Sequence, residues 1–355
     1  MAKIQLGGAG GAPTNNFIKS LRNSHRKDYL IGTSCMPSDL FLADVDERYV
    51  VPPANAAEYP AKILTLLKNT QPDFLHLQHD FEVRAISRLR HEVQDLGVKL
   101  FLPSEQTIEN CVDKQKSFVI WEQAGVRVPR TILLKSVDDL KWAFSNLGET
   151  IWLRAIEGGG GRGALPTNNF DFARIWVDRY KGWGSFTAAE LLSDQTITWQ
   201  SIWYQGELVV AQTRRRRSWN FGDRTLSGVT GITGVGETCS VPEIDELAEA
   251  SIRAVSEQPH GIFAVDMTYD HAGKPNVTEI NIGRFFTTHY FFTKAGLNFP
   301  EIYCDIALEN KFPALSKKIN PLPDGLIWIR GMDVEPVLTT IGELEKLELS
   351  LCTTY

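Results

Sequence analysis

Three side chains that could hold a divalent cation occur close together in the last third of the chain. Asp266 ends one short apolar run, and Glu279 and Asn281 lie in the next, residues 276–282. The polar residues 270–275 between the runs have turn composition, so the pattern predicts a β-hairpin. Side chains two apart on a strand share a face, where Asp266 of the partner strand can meet them. Hard oxygen ligands of this kind suit Mg²⁺, which also takes phosphate oxygens.

A run of glycines, residues 158–161, follows a predicted strand that ends in Arg154. Glycines allow backbone amides to approach a phosphate closely, and they let a loop close over a bound ligand. The alternative is a flexible turn without function, but the position directly after a strand ending in arginine favours a phosphate-binding loop. A Walker A loop is excluded because no Gly-Lys-Ser/Thr sequence follows.

A second glycine-rich turn, residues 7–11, follows the first predicted strand and precedes a helix. This is the position of a dinucleotide fingerprint, but Pro13 replaces the third glycine. The second strand also ends without a carboxylate that could bind a ribose, at residues 32–35. NAD binding is therefore disfavoured. A small-substrate pocket is the preferred interpretation, and a purely structural tight turn is the alternative.

The composition is that of an ordinary soluble protein. The chain has 355 residues, 43% hydrophobic and 23% charged, and a net charge of -6. This acidic balance argues against nucleic-acid binding, which needs a basic surface. The five cysteines are scattered without a CxxC pair, so we expect a reducing, cytoplasmic location and neither a disulfide framework nor a zinc knuckle. No signal peptide is predicted, and no apolar run approaches the ~20 residues that span a membrane.

The first hundred residues alternate short apolar runs with helical patterns, which predicts a parallel sheet with helices on both faces. The predicted strands are 3–6, 29–32, 48–51, 74–77 and 99–102, and the predicted helices are 15–22, 60–68, 82–96 and 104 to about 123. Consecutive strands follow at 131–134, 151–154, 186–190, 198–204 and 208–213, with a last one at 326–330. The fold class is therefore α/β in the N-terminal part and antiparallel α+β in the rest.

The order of these motifs resembles the ATP-grasp enzymes, and most nearly the ATP-grasp domain of the carbamoyl-phosphate-synthase large chain. The matching segments are 113–114, 151–154 with its glycine loop, 189–192, Asp266 and 279–281. The N-terminal part resembles the Rossmann-like domain that precedes such domains, through 7–13, 42–53 and 79–82. The resemblance covers roughly residues 1–310. It implies a pre-ATP-grasp domain at 1–103, a small lobe at 104–183, a C-terminal lobe at 184–312 and an extension at 313–355.

The resemblance also implies roles for individual residues. Lys114 and Arg154 would bind the nucleotide phosphates together with the loop glycines Gly159, Gly160 and Gly161. Glu190 would mark a hinge at which the backbone of Leu191 and Leu192 meets adenine. Asp266, Glu279 and Asn281 would bind Mg²⁺, with Mn²⁺ as an alternative, and the catalytic candidates are Arg154, Arg216 and Arg284.

Two departures from the family pattern stand out. The segment 194–198 lacks the glutamate that often holds the ribose, so that contact would fall to Asp194 or Gln200, or would be weaker. Arg284 is displaced by about one residue from the usual position after the asparagine.

The four consecutive arginines, 214–217, alternate along a predicted strand, so Arg214 pairs with Arg216 and Arg215 with Arg217. The sequence leaves the choice between the pairs open, and Arg216 is the catalytic candidate. Residues 228–236 form a flexible loop that could close over the site. His289 and its aromatic neighbours are expected in the core.

The implied activity is an ATP- and Mg²⁺-dependent carboxylate–amine ligase that acts through an acyl phosphate and releases ADP and phosphate. Its partners would be a small carboxylate and an amine, without nucleic acid or membrane, and a homodimer is common among such enzymes. The alternatives are a kinase-like or carbamate-phosphorylating enzyme and a non-catalytic ATP-binding protein.

Overall fold

The computed structural model describes residues 1–159, 161, 163–332 and 337–343. The N-terminal part is a parallel four-stranded sheet in the order β3-β2-β1-β4. Its strands are β1 Lys3–Leu6, β2 Tyr29–Ser34, β3 Glu47–Val50 and β4 Phe74–His76. Its helices are α1 Ala12–Arg22, α2 Pro37–Leu40, α3 Tyr59–Thr70, α4 Asp80–Arg88 and α5 Arg90–Asp95. The predicted β/α alternation is confirmed, and the central strands β1 and β2 are almost wholly buried because both faces of the sheet are covered.

Two predicted elements in this region are wrong. The helix predicted over 82–96 is two helices, α4 and α5, which meet at Leu89. The strand predicted over 99–102 is absent from the described sheets, and only Lys99 forms an isolated bridge to Phe74. Phe101 and Leu102 are buried by side-chain packing and not by a strand ladder.

The helix predicted from residue 104 to about 123 is also two helices, α6 Glu105–Val112 and α7 Lys114–Gln123. Asp113 lies between them in an extended conformation, and its Oδ1 accepts hydrogen bonds from the amides of Gln115 (2.9 Å) and Lys116 (3.1 Å). Aspartate is a favoured N-cap because its carboxylate satisfies amides that have no partner within the helix. This cap makes Lys114 the first residue of α7.

The small lobe is an antiparallel four-stranded sheet in the order β5-β8-β6-β7. Its strands are β5 Thr131–Leu134, β6 Ile151–Ala155, β7 Leu165–Thr167 and β8 Phe186–Glu190. Helices α8 Val137–Asn146 and α9 Phe170–Arg179 contribute to its core. This core contains Leu140 and Val177 from the helices and Leu153 from the sheet.

The large lobe is an antiparallel seven-stranded sheet in the order β13-β12-β9-β10-β11-β14-β15. Its strands are β9 Thr196–Tyr204, β10 Glu207–Trp219, β11 Thr233–Thr238, β12 Gly261–Tyr269, β13 Pro275–Ile282, β14 Leu326–Ile329 and β15 Val337–Thr340, with helices α10 Pro242–Val255, α11 Tyr290–Lys294 and α12 Phe299–Glu309. The predicted hairpin is confirmed as β12 and β13, and the last predicted strand as β14. The strand predicted over 208–213 continues to Trp219, so all four arginines lie on β10.

The N-terminal part and the large lobe share their hydrophobic cores. One core cluster joins Ile4 and Phe17 to Phe285 and Trp328. His289 and the aromatic residues around it are buried, as the sequence predicts. None of the described helices is both long and apolar enough to cross a bilayer.

Candidate functional site

The β12–β13 hairpin brings the three predicted metal ligands together. Asp266 lies directly opposite Glu279, and Asn281 is two residues further along β13. Asn281 Nδ2 donates a 2.9 Å hydrogen bond to Asp266 Oδ2. In the described part of the chain, no group of three or more His, Cys, Asp or Glu side chains could hold a metal ion. The donor set here is instead two carboxylates and one amide, which are hard oxygen donors that fit Mg²⁺.

A buried relay orients Asp266. Thr198 Oγ1 donates to Asp266 Oδ1 at 2.5 Å and accepts from Arg214 Nη2 at 2.6 Å. Arg214 is only 1% exposed, and its Nη1 donates to Thr233 and Thr288. Burial lowers the pKa of Arg214 to about 9, and the neighbouring Arg216 adds to this effect. A relay of this kind fixes the orientation of a ligand carboxylate.

Two cations from different elements converge on Glu279. Lys114 Nζ and Arg154 Nη1 each lie 3.7 Å from Glu279 Oε2. Lys114 begins α7, and its ammonium donates to the carbonyl of Gly158 at 2.7 Å. Arg154 lies on β6 and donates to the carbonyl of Thr278 at 2.7 Å. Burial lowers the pKa of both cations, although the Glu279 charge opposes this shift.

Arg284 joins the hairpin to the N-terminal part. Its Nε and Nη2 donate to the two oxygens of Asp80, the latter at 3.0 Å, and Nη2 also donates to Asn281 Oδ1 at 2.5 Å. Burial alone would raise the pKa of Asp80, but the Arg284 charge and hydrogen bonds hold this pKa below its usual range. Asp80 was not among the predicted site residues. Its place just after β4, at the carboxyl end of a parallel sheet, is the sequence signal that could have identified it.

The alternation of β10 separates the four arginines into two faces. Arg216 donates from Nε to Thr233 at 3.0 Å and from Nη1 to Thr196 at 2.5 Å, on the same face as Arg214. Arg215 and Arg217 both pair instead with Glu237, at 3.7 and 2.9 Å. Burial lowers the pKa of Arg216 to about 10, while the charges of Asp266 and Glu279 counteract this effect. Arg216 therefore lies within electrostatic reach of the proposed metal ligands.

The described part of the glycine loop packs over these groups. A Cβ added at Gly159 would lie 3.8 Å from Asp80 Oδ2 and 4.0 Å from Arg284 Nη2. Gly161 has φ +73°, and a Cβ there would lie 2.7 Å from the carbonyl oxygen of Val229. The glycine loop therefore contacts the loop at residues 220–232. The flexible loop predicted over 228–236 is wrong at its C-terminal end, because residues 233–236 belong to β11. Gly160 lies outside the described residues.

A narrow cleft lies beneath the glycine loop. It is lined by Asp80, Phe81, Cys111, Val112, Lys114, Gly158, Gly159, Glu279, Ile280, Asn281, Ile282 and Arg284. The nearby cations outnumber the nearby carboxylates, since Lys114, Arg154, Arg214, Arg216 and Arg284 surround Asp80, Asp266 and Glu279. This excess of positive charge favours an anionic ligand.

The predicted hinge joins the small lobe to the large lobe between β8 and β9. The Glu190 carboxylate is bound by the amide and Nε of Arg130, each at 2.9 Å. Within the described residues, the backbone groups of Leu191 and Leu192 form no hydrogen bond, so they are available to a ligand. Gln200 is 0% exposed and bonds Phe263 and Phe286, so its side chain is not free for a ribose, which leaves Asp194 or a weaker ribose contact as the alternatives.

The N-terminal glycine turn adjoins several buried polar groups that have no partner within the described residues. Glu82 is 8% exposed, and burial raises its pKa to about 8. Its Oε2 has no hydrogen-bond partner, and a Cβ added at Gly7 would lie 2.7 Å from this oxygen. The hydroxyl of Tyr59 and the Nε2 of Gln78 are also unpartnered. Buried polar groups without a partner call for an explanation, and Gln78 and Glu82 follow the carboxyl end of β4, so these groups are candidates for contact with a ligand.

Sequence comparison alone assigns no family, because no family model matches the chain. Phosphoadenosine 5'-phosphosulfate reductases from Pectobacterium carotovorum and Pectobacterium atrosepticum are 30% and 29% identical over 110 residues. The match covers 29% of this chain and 43% of each relative, so the chain spans less than half the length of these proteins.

Solved structures resemble the chain over nearly its whole length. The biotin carboxylase domain of 2-oxoglutarate carboxylase from Hydrogenobacter thermophilus, a dimer in complex with MgADP and bicarbonate, has a TM-score of 0.71 at 17% identity, covering 93% of this chain and 74% of that one. N5-carboxyaminoimidazole synthetase from Staphylococcus aureus has a TM-score of 0.69 at 13% identity, covering 98% and 96%. L-amino acid ligase from Bacillus licheniformis has a TM-score of 0.68 at 14% identity, covering 92% and 79%. The chain therefore has the ATP-grasp fold, with an N-terminal α/β domain ahead of the two ATP-grasp lobes.

Proposed function

We propose that the protein is an ATP-dependent carboxylate–amine ligase that releases ADP and phosphate. The observation that carries this proposal is the cleft itself. Hard oxygen donors on the β12–β13 hairpin face two buried cations, Lys114 and Arg154, beneath a glycine loop. This combination suits a nucleotide whose terminal phosphoryl group is to be transferred.

The residues present fit a magnesium nucleotide. Asp266, Glu279 and Asn281 would hold Mg²⁺ (or Mn²⁺), which would neutralise negative charge on the phosphates. Lys114 and Arg154 neutralise charge on the phosphates. The loop glycines at 159–161 supply backbone amides, and the free backbone groups of the hinge bind the adenine edge.

The transfer step needs groups that position the acceptor. Arg284 and Arg216 orient the substrate carboxylate, since a guanidinium matches a carboxylate or phosphate geometrically. A carboxylate oxygen attacks the terminal phosphoryl group, and ADP leaves. The amine then attacks the acyl carbon, which forms the amide bond and releases phosphate. Positioning and electrostatic stabilisation supply most of the rate.

The amine would bind at the N-terminal glycine turn. Glu82 offers an unpartnered carboxyl oxygen there, and Tyr59 and Gln78 offer further unpartnered polar atoms. The L-amino acid ligase and the N5-carboxyaminoimidazole synthetase among the structural neighbours support small-molecule substrates in general terms. We also propose a homodimer, because one neighbour is a dimer, and a cytoplasmic location.

A coupled assay of ADP release, screened over small carboxylates and amino acids, tests the proposal. Wild-type protein should release ADP only with Mg²⁺, a carboxylate and an amine. Glu279→Gln should reduce turnover at least about 100-fold, because it removes a metal-binding charge. The matched control is Glu92→Gln on α5, where the side chain is exposed.

Two outcomes would contradict the proposal. If Glu279→Gln keeps its turnover with unchanged Mg²⁺ dependence, the assigned metal site is wrong. If ADP release does not depend on the amine and a phosphorylated acid accumulates, the protein is a phosphotransferase of the kinase-like type.

A further inference from the structure

Arg284 is held by two competing partners. It follows Gly283, whose φ of +68° and close packing on Val83 turn the chain toward the start of α4. There the guanidinium donates to both oxygens of Asp80, and its Nη2 is shared with Asn281 Oδ1. A two-bond contact with a carboxylate is stronger than a single bond to an amide, because the former is charge-assisted. Asp80 is therefore the dominant partner.

The shared bond matters because Asn281 Oδ1 is an oxygen that a divalent cation needs. The charges of Glu279 and Asp266 also attract the Arg284 guanidinium. Without a carboxylate at position 80, the negative charges nearest to the buried Arg284 guanidinium are Asp266 and Glu279, the carboxylates proposed to bind the metal. The guanidinium would then compete with the cation for the same oxygens, since an uncompensated buried charge is costly.

We propose that Asp80 is a positioning residue for Arg284, which it retains on the N-terminal side of the cleft so that the guanidinium does not move onto Glu279 and Asp266, the carboxylates proposed to bind the divalent cation. The inference rests on the proposed function. It assigns a role to a side chain 204 positions away in sequence from its partner. The proposed role of Asp80 is to keep the Arg284 guanidinium away from the oxygens that would bind the divalent cation.

The test is the Mg²⁺ dependence of nucleotide binding, which needs no turnover. A fluorescent ATP analogue is titrated with Mg²⁺ against the full-length protein, and the Mg²⁺ midpoint is recorded. Asp80→Asn keeps the shape and removes the charge, so its midpoint should rise about tenfold. Asp80→Asn combined with Arg284→Gln should return to within about threefold of wild type, because the competing cation is gone. Asp95→Asn on exposed α5 is the matched control and should leave the midpoint unchanged.

Each outcome decides the inference. An unchanged midpoint in Asp80→Asn, or a double variant as weak as the single one, overturns it while the proposed function stands. Wild-type protein that binds no nucleotide with Mg²⁺ refutes the proposed function and the inference with it. If Asp80→Asn fails to fold by circular dichroism, the Mg²⁺ midpoint of the double variant decides: a midpoint within about threefold of wild type supports the inference, and a midpoint raised about tenfold overturns it.

Discussion

At the scale of single residues, the β10 arginines show how strand alternation separates a site from a surface. Arg216 reaches Thr196 and Thr233 on the face that carries Asp266, whereas Arg215 reaches Glu237 on the other face. The Arg215 side chain is 42% exposed, and exposed pairs of this kind contribute little to stability. We therefore expect these two adjacent arginines to differ strongly in their importance for function.

This difference predicts the result of a matched pair of variants. Arg216→Gln removes a partly buried cation from the proposed site of phosphoryl transfer, so kcat/KM should fall about 100-fold. Arg215→Gln should change kcat/KM by less than about twofold, since Arg217 still pairs with Glu237. Steady-state kinetics of ADP release measure both values. Equal losses in the two variants would show that the wrong face has been assigned to the site.

Glu82 predicts a pH-dependent stability. Burial raises its pKa from 4.5 to about 8, so the folded protein keeps this proton where the unfolded chain has released it. The free energy of unfolding should therefore fall as the pH rises from about 4.5 to about 8, by at most about 1.4 kcal/mol per pH unit. Glu82→Gln removes this loss. The difference in melting temperature between the variant and wild type should therefore increase as the pH rises, by about 2 °C or more at pH 8.

Differential scanning fluorimetry at several pH values between 5 and 8 measures this gain. Glu92→Gln on the exposed face of α5 serves as the control and should track wild type at every pH. A gain that is the same at pH 5 and pH 8 would mean that Glu82 is already ionised in the folded protein.

At the scale of elements, the sequence predicted what local composition determines. The turn at 270–275 separates two apolar runs, and that signal was enough to give the β12–β13 hairpin and its shared face. The break between α6 and α7 at Asp113 was missed because the sequence on both sides of Asp113 has a continuous helical pattern, which hides the N-cap signal of a single aspartate. The segment 99–102 was misread because its apolar residues are buried by Tyr303 and the large lobe, which a sequence pattern cannot show.

The sequence predicted those site residues that belong to local motifs, but not the contacts between segments that are distant in sequence. The hairpin ligands and Lys114 came from motifs and from the resemblance. The Asp80–Arg284 pair joins segments 204 positions apart, and no local pattern connects them. Which arginine pair points toward the site depends on which face of the sheet is covered. That is a property of the tertiary structure, so the sequence could not choose Arg214 and Arg216.

The Asp113 cap predicts a change in function through an element. Asp113→Ala should cost about 1 kcal/mol of stability and also weaken nucleotide binding, because Lys114 at the helix start loses its fixed position. Asn169→Ala is the matched control, since Asn169 caps α9 through a 2.9 Å bond to the Phe172 amide and lies outside the cleft. Chemical denaturation and nucleotide titration measure the two effects. Similar losses of nucleotide affinity in both variants would show that the cap acts only through global stability.

At the scale of the whole molecule, the hydrophobic cores divide the chain into two units. The N-terminal part and the large lobe form one unit, although they are far apart in sequence, and the small lobe forms the other. One core cluster joins Leu75 and Ile86 of the N-terminal part to Trp199 and Phe263 of the large lobe. A charged contact adds to this connection, because Arg26 bonds Asp305 of α12 at 2.5 Å. The small lobe instead has its own core, drawn from residues 134–188. The N-terminal part and the large lobe should therefore unfold together, and the small lobe should open separately.

Hydrogen exchange followed by mass spectrometry tests this division. Amides of β6 and β8 should exchange through a smaller opening free energy than those of β1 and β12, because the small lobe buries less apolar surface. ADP with Mg²⁺ should slow exchange in β6 and the hinge most strongly, since a bound nucleotide joins the small lobe to the large one. Glu279→Gln should lose this ligand-dependent protection while its unliganded exchange stays like that of wild type. Equal opening free energies in all three sheets would show instead that the chain unfolds as a single cooperative unit.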